Sequence, residues 1–339
     1  MYYVTIDCGT TNSRIYIVDS LGKVFSKGKK NVGVKDTAIT GSNEVLINGL
    51  KELFNDVLKM SNINMSEIKI ILSSGMITSE LGIKEIPHIS APCNINDLAK
   101  NIVKVDNIDL TGSNIPMYFI PGIKNKYNKE KIDYNHVDSL DFMRGEETQV
   151  IGLIRNSVTY YPKMVIILSS HTKFILIDTI GKIYGSITTM SGQLYDAIIN
   201  HTFVGKSIND DKKNNDYNEI KILELAKKCS NSYGIIRSLM FPRFMDVLLD
   251  TSSKQRKLFL DALIAYEDIK VIPYLKKIKI FEKYEVIIIG DKERSELYKK
   301  LLSQEMKNAK GFTIIDDNEK IDQISIDGIL TIAKYAKLI

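Results

Sequence analysis

The sequence predicts an α/β protein made of two halves of one architecture, each a mixed sheet with flanking helices. Three observations carry that prediction. One strand–turn–strand segment occurs twice, apolar strands and amphipathic helices succeed one another in both halves, and 339 residues suit two domains at roughly 100–200 residues each. The segment N-S-R-I-Y-I-V-D-S-L-G-K-V-F at 12–25 returns without a gap as H-T-K-F-I-L-I-D-T-I-G-K-I-Y at 171–184. Asp19 aligns with Asp178, Gly22 with Gly181 and Lys23 with Lys182, at a constant offset of 159 residues. Asp opens such a turn by bonding its own backbone and Gly supplies positive φ, so each copy reads as a β-hairpin. Shared turn chemistry in two unrelated hairpins is the alternative. Two copies, each near the start of a half-chain, point to duplication.

The elements follow in order. The opening M-Y-Y-V-T-I-D reads as a strand and not as a signal peptide, since it has neither a basic region nor a long apolar one. After the first hairpin, Leu46, Leu50, Leu53, Phe54 and Val57 fall at i, i+4, i+7, i+8 and i+11, which predicts a helix over 43–62 with one apolar face. Strands follow at 68–72 and near 116–120. The polar stretch 125–138 reads as a loop, and a helix over 144–156 closes the first half, taken as 1–157. The second half, 158–339, opens with a strand at 164–168 and the repeated hairpin. A helix follows over 191–201 with Ser191 as a capping candidate, then a charged loop at 209–218 and helices from 219 to about 268. Strand 285–289, helix 292–307, strand 312–315 and an amphipathic helix over 326–338 complete the chain. No low-complexity linker separates the halves, so intimate packing is expected.

Composition narrows the function classes. The 46 basic residues nearly balance the 41 acidic ones, and they are scattered. That leaves no footprint for nucleic acid or for an anionic membrane. No apolar run approaches the ~20 residues of a membrane span. Cys8, Cys93 and Cys229 are far apart, and the four histidines lack ligand spacing, so neither a disulfide framework nor structural zinc is indicated. A reduced, cytoplasmic protein is the expectation.

Four polar constellations remain. In Asp7-Cys8-Gly9-Thr10-Thr11-Asn12 the first strand turns into the second. Successive amides of such a turn form an anion nest for phosphate, the hydroxyls add donors, and Asp7 is placed to hold a hydrated Mg²⁺. The alternative is a hairpin turn whose Thr and Asn satisfy only backbone. The duplicate turn, Ser169-Ser170-His171-Thr172-Lys173, is equally polar, so the two turns would clamp the β- and γ-phosphates from both sides of a cleft. Asp141 to Gln149 crowds charge at a helix start, where the dipole favours carboxylates. It reads either as a well-capped helix or as a carboxylate general base beside an Arg that grips a substrate anion. Arg is scarce here, seven of the 46 basic residues, so Arg144 suggests that guanidinium geometry matters. The strand ends Ser73-Ser74-Gly75-Met76 and Gly290-Asp291 are where open α/β sheets bind ligands, the second suited to adenosine. No P-loop and no dinucleotide fingerprint occurs. His88, His136 and His201 read as structural or surface residues.

The strings I-D-C-G-T-T-N-S-R, S-S-G-M-I, D-F-M-R-G-E-E-T-Q, S-H-T-K-F, T-T-M-S-G-Q-L-Y, I-I-I-G-D and D-G-I-L-T-I-A occur in that order. Together they resemble the 2-dehydro-3-deoxygalactonokinase family over nearly the whole chain, M-R-G-E-E-T-Q most specifically. That family belongs to the superfamily of sugar kinases, actin and heat-shock chaperones. The resemblance implies duplicated actin-like (ribonuclease H-like) domains around a nucleotide cleft, with closure of the halves. It implies transfer of the ATP γ-phosphate to the 6-hydroxyl of 2-dehydro-3-deoxygalactonate, in galactonate catabolism.

On that reading the cofactors are ATP and Mg²⁺. Asp7 organises the metal. Gly9, Thr10, Thr11, Asn12, His171, Thr172 and Lys173 serve the phosphates, Lys173 neutralising developing charge, and Gly290 and Asp291 the adenosine. Ser74, Gly75, Met76 and Arg144 serve the sugar acid, Arg144 through its carboxylate. Glu146 or Glu147 takes the hydroxyl proton, Glu146 being favoured. A homodimer is left open. The chain departs from the family pattern at Cys8 and Phe174 (commonly Trp), at Ser169-Ser170 (commonly Pro-Gly), at Gln193 (commonly Glu) and around Asp261 in a helix usually rich in small residues. A kinase of another sugar acid and a nucleotide-binding regulator of the same fold are the alternatives.

Overall fold

The computed structural model describes residues 1–106, 110–127, 133–155, 160–209 and 217–339. Part of the loop expected at 125–138, most of the charged loop at 209–218, the end of the helix expected over 144–156, and the boundary expected at 157/158 lie outside the described residues. Two compact units emerge. The first comprises Met1–Tyr160, Ile177–Ser186 and Asp317–Ile339, the second Tyr161–Leu176 and Ile187–Asp316. A single cut of the sequence therefore does not separate them, because the last helix belongs to the first unit. No helix among the described residues is long and apolar enough to cross a membrane.

The first unit is built on a six-stranded sheet. Its strands are β1 (Tyr2–Cys8), β2 (Ser13–Val18), β3 (Val24–Lys30), β4 (Ile68–Gly75), β6 (Val103–Val105) and β7 (Met117–Phe119), in the order β3-β2-β1-β4-β7-β6. A small sheet orders β5 (Ile89–Ser90), β8 (Ile123–Lys124) and β9 (Phe142–Met143) as β5-β8-β9. β1 pairs antiparallel with β2, setting Asp7 opposite Arg14, and parallel with β4, setting Asp7 beside Ser74 and Cys8 beside Gly75. Alternation along β1 and β2 sends Val4, Ile6, Cys8, Ile15 and Ile17 to one face. They form one core with Leu46, Leu50, Leu53, Phe54 and Val57 of helix Glu44–Ser61, the apolar face expected from sequence.

Helix Asn318–Tyr335 begins eight residues before the expected 326, capped by Asp317, whose side chain accepts the Lys320 amide. It packs on helix Glu146–Ile154 through two glycines. A Cβ at Gly328 would stand 1.8 Å from the Thr148 carbonyl oxygen, and one at Gly152 1.9 Å from that of Ile324, so the helix backbones touch. Arg155 and Asp327 pair across the same crossing at 3.1 Å.

The second unit's sheet has the order β12-β11-β10-β13-β14, from β10 (Lys163–Leu168), β11 (Thr172–Ile177), β12 (Ile183–Thr189), β13 (Tyr284–Gly290) and β14 (Ala309–Ile315). As in the first sheet, the opening strand lies inside with its hairpin on one side and parallel neighbours on the other. The two turns agree in detail. Asp19 Oδ1 accepts from the amides of Leu21 and Lys23, and Asp178 Oδ1 from those of Ile180 and Lys182, at 2.8–3.0 Å. Gly22 and Gly181 have φ of 87° and 80°. Between β12 and β13 the described residues form helices Ser191–His201, Phe203–Asn209, Glu219–Ser232, Gly234–Ser238, Phe241–Val247, Ser253–Ile269 and Ile272–Ile278.

Candidate active site

In the first unit β1 delivers Asp7 to the sheet end, where the chain turns through Gly9, Thr10, Thr11 and Asn12. The Gly9 amide donates to the Asn12 carbonyl at 2.8 Å, and the Gly9 and Thr10 carbonyls accept from Val34 and Lys35 at the start of helix Val34–Thr40. Thr11 is exposed, and its hydroxyl accepts from Asn12 Nδ2. The Asp7 carboxylate is about one third exposed (32%) and pairs with Arg14 at 3.2 Å. Desolvation holds its pKa above the ordinary value, with Arg14 working the other way.

Next to Asp7, Gly75 has φ +84°, and a Cβ there would lie 2.5 Å from the Cys8 carbonyl oxygen and 3.4 Å from Asp7 Oδ1. Gly145, at φ +106°, comes so close that its Cβ would be 3.3 Å from Gly75 Cα. Glycine at both places brings the M-R-G-E-E segment beside the strand end that carries Asp7. Helix Glu146–Ile154 starts there. Glu146 is half-buried and accepts the Arg144 amide on Oε2 at 3.0 Å. Glu147 is fully buried, and both its carboxylate oxygens accept the Gly145 amide, at 2.9 and 2.8 Å. Burial, reinforced by the Glu146 charge, pushes the Glu147 pKa up to about 8. The half-buried Arg144 donates to Thr78 Oγ1 at 2.6 Å and to the Ile86 carbonyl at 2.8 Å, and meets His88 Nδ1 at 3.3 Å. Ser74 is buried, whereas Met76 is partly exposed.

Among the described residues no three His, Cys, Asp or Glu side chains gather into a metal cage. Mg²⁺ does not need one, since it binds through one or two carboxylates plus waters and substrate phosphates. The partly exposed Asp7 is a donor of that kind.

In the second unit the turn 169–173 borders a cavity of about 430 Å³, lined also by residues of helices Ser191–His201, Ser253–Ile269 and Lys292–Glu305. Ser169 and Ser170 are exposed, and Gly192 lies so close that a Cβ would be 2.1 Å from the Ser169 carbonyl oxygen. Thr172 is buried, its hydroxyl 2.7 Å from that of Ser191. Arg294 ties the arrangement, donating to the Ser169 carbonyl at 3.1 Å and to the Thr172 and Ser191 hydroxyls at 2.8 and 2.9 Å. Beneath it the buried Asp268 accepts from Thr189 at 2.6 Å and Tyr298 at 2.5 Å. Burial, then Lys173, holds the His171 pKa below the ordinary value. Lys173 itself is buried and donates to Thr188 at 2.7 Å. Gly290 pairs with Leu168 at the sheet end, and Asp291 caps helix Lys292–Glu305 and lines the cavity.

The sequence model of the 2-keto-3-deoxy-galactonokinase family matches residues 7–322. The chain belongs to this family. A protein of Rhizobium meliloti (strain 1021) named as a 2-dehydro-3-deoxygalactonokinase is 25% identical over 207 residues, and the 2-dehydro-3-deoxygalactonokinase of Escherichia coli (strain K12) is 27% identical over 209. Each alignment takes in 61% of this chain and 59% of the relative, so the chain matches less than two thirds of their length. A crystal structure from Sinorhizobium meliloti described as a 2-dehydro-3-deoxygalactonokinase has the same fold, with a TM-score of 0.71 at 20% identity over 98% of both chains. The fold is thus the duplicated actin-like α/β fold expected from the sequence, with corresponding strand orders in the two sheets.

Two groups of this family member escaped sequence reasoning. Thr78, Ile86 and His88 reach Arg144 from more than 50 positions away, and no local pattern announces them. Arg294 and Asp268 join the second turn from distant helices. Arg294 carried one faint signal, being among the seven arginines and three residues after Asp291.

Proposed function

We propose that the chain transfers the γ-phosphoryl group of ATP to the 6-hydroxyl of a 2-keto-3-deoxy sugar acid, 2-dehydro-3-deoxygalactonate, in galactonate catabolism. Membership of the family supports this, as do the names of the two relatives. The observation that carries it is the half-buried Glu146 at the start of the helix that the Gly75–Gly145 approach brings to the strand end carrying Asp7, with Arg144 just ahead. The sugar hydroxyl oxygen bonds to the γ-phosphorus as the bond to the β,γ-bridging oxygen breaks, Glu146 receives the hydroxyl proton, and ADP leaves. Glu147 is largely protonated at pH 7, so it serves by fixing Gly145. Arg144, whose guanidinium carries five N–H donors, keeps donors for the substrate carboxylate beyond those directed at Thr78, Ile86 and His88. Thr10, Thr11 and Asn12 contribute phosphate donors.

In the second unit we assign the cavity to the nucleoside, and Ser169, Ser170 and His171 to phosphate. Arg294 lies nearer this turn's open side than the buried Lys173, and supplies its charge. Mg²⁺, when bound, would be held by Asp7 and would neutralise phosphate charge. We place the enzyme in the cytoplasm, where a second copy of the chain is the macromolecular partner in view.

ADP formation against a panel of aldonates, 2-keto-3-deoxy aldonates and neutral hexoses tests the proposal. Turnover is expected with the 2-keto-3-deoxy acids. Preference for a neutral hexose would remove the role given to Arg144. An equal, slow rate with and without sugar would favour a nucleotide-binding regulator.

A further inference from the structure

We infer that Asp261 reads the nucleobase, its carboxylate accepting the exocyclic amine of adenine. This rests on the assignment of the second unit's cavity to a nucleoside. On helix Ser253–Ile269, Lys257, Asp261, Ile264 and Asp268 stand at i, i+4, i+7 and i+11, one stripe along a single face. Its Asp268 end adjoins Thr189, Tyr298 and Arg294, and so the phosphate turn. Asp261 is two helical turns away, about 10.5 Å at 1.5 Å per residue, comparable to the reach of a nucleoside from its 5′ oxygen to the edge of its base. Helix Ser191–His201 runs the same course, with Ser191 at the turn and Tyr195 bonded to Asp261. Ile199, Ile264 and Leu297 line the cavity as apolar surface suited to a flat ring.

The charge pattern agrees. Asp196, Asp261, Asp291 and Glu293 outnumber Lys257 and Arg294 around the cavity, which disfavours burying phosphates there and suits a neutral base that donates hydrogen bonds. Asp261 is about a quarter exposed (24%) and is held by Lys257 Nζ at 3.0 Å, while Lys257 also meets Glu293 at 3.2 Å. A carboxylate offers about four acceptor positions, so acceptor capacity remains beyond that used by Lys257 and Tyr195. Adenine presents an amine there. Hypoxanthine presents a carbonyl oxygen, and two acceptors would face each other.

The test compares kcat/KM for ATP, ITP and purine riboside triphosphate, which lacks the amine. The intact enzyme is expected to favour ATP by about 10- to 100-fold, the range of a hydrogen bond to a charged group. Asp261→Asn, whose amide can donate to a carbonyl, is expected to shrink the ATP/ITP ratio by about 10-fold. Asp196→Trp, which projects a ring into the cavity from an exposed position, should weaken all three nucleotides alike. Equal use of ATP and purine riboside triphosphate by the intact enzyme, or an unchanged ratio in Asp261→Asn, overturns the inference even where Asp196→Trp weakens every nucleotide. Normal nucleotide use in Asp196→Trp would instead overturn the assignment of the cavity, and the inference with it.

Discussion

Glu147→Gln should invert the order of stability between variant and parent as pH rises. Glu147 is fully buried, and its pKa is raised from 4.5 to about 8 by desolvation and by Glu146. The sign follows from proton binding. Below pH 4.5 the carboxyl is protonated in both the folded and unfolded chain and adds no pH dependence. Between 4.5 and 8 the unfolded chain ionises while the folded one keeps its proton, so stability falls by about 1.4 kcal/mol per pH unit. Above 8 the loss is complete, on the order of 4–5 kcal/mol as an upper bound. Glutamine keeps an acceptor for the Gly145 amide and does not titrate. The variant is therefore expected to match or fall slightly below the parent at pH 5 and to exceed it by several kcal/mol at pH 8.5. Thermal melting of both proteins from pH 5 to 9 measures the difference, and other titrating groups largely cancel in it. Parallel curves would show that Glu147 ionises normally, and the description of its buried carboxyl would be wrong.

Four further outcomes follow, three from the first unit and a control from the second. Glu146→Gln is expected to lower kcat by about 10²–10⁴-fold, the usual yield of general base catalysis, while nucleotide affinity by equilibrium titration stays nearly intact; unchanged kcat would move the base to Asp141. Asp7→Asn should raise the Mg²⁺ concentration needed for half-maximal turnover by about 10-fold or more, as loss of a charged ligand implies, and an unaltered Mg²⁺ titration would contradict its role. Gly328→Ala puts a methyl group 1.8 Å from the Thr148 carbonyl oxygen, and is expected to cost about 1–3 kcal/mol or more in urea unfolding. Gly311→Ala, with nothing within 4 Å of its Cβ, should stay within about 0.5 kcal/mol of the parent.

Local chemistry was readable where one stretch of chain decides the outcome. The D-[ST]-[LI]-G-K turns and the apolar face of helix Glu44–Ser61 need only their own residues, and both fold as their patterns require. The last helix was read as starting at 326 because its apolar residues cluster from there on. Its first two turns carry only Ile321 and Ile324 among polar residues, and the capping Asp317 marks their start. Strands β5, β8 and β9 are two residues each, too short for alternation to register. Gly152 and Gly328 are ordinary glycines until their helices are seen to touch. In the site, Arg144, Glu146 and Glu147 could be singled out because their charges crowd one helix start. Their division into a half-buried and a fully buried carboxylate could not, since it depends on the Gly75–Gly145 approach. The acidic end of the second unit's cavity draws on three separate helices, so no single segment carried its pattern.

A kinase differs from a nucleotide-binding regulator in that a phosphoryl group ends on the sugar acid. Incubation with ATP, Mg²⁺ and 2-dehydro-3-deoxygalactonate, followed by mass spectrometry and ³¹P–¹³C coupling on the product, addresses it directly. The expected product is a sugar acid heavier by one phosphoryl group, coupled at carbon 6, formed in step with ADP. ADP accompanied by free phosphate and an unaltered sugar acid would contradict it.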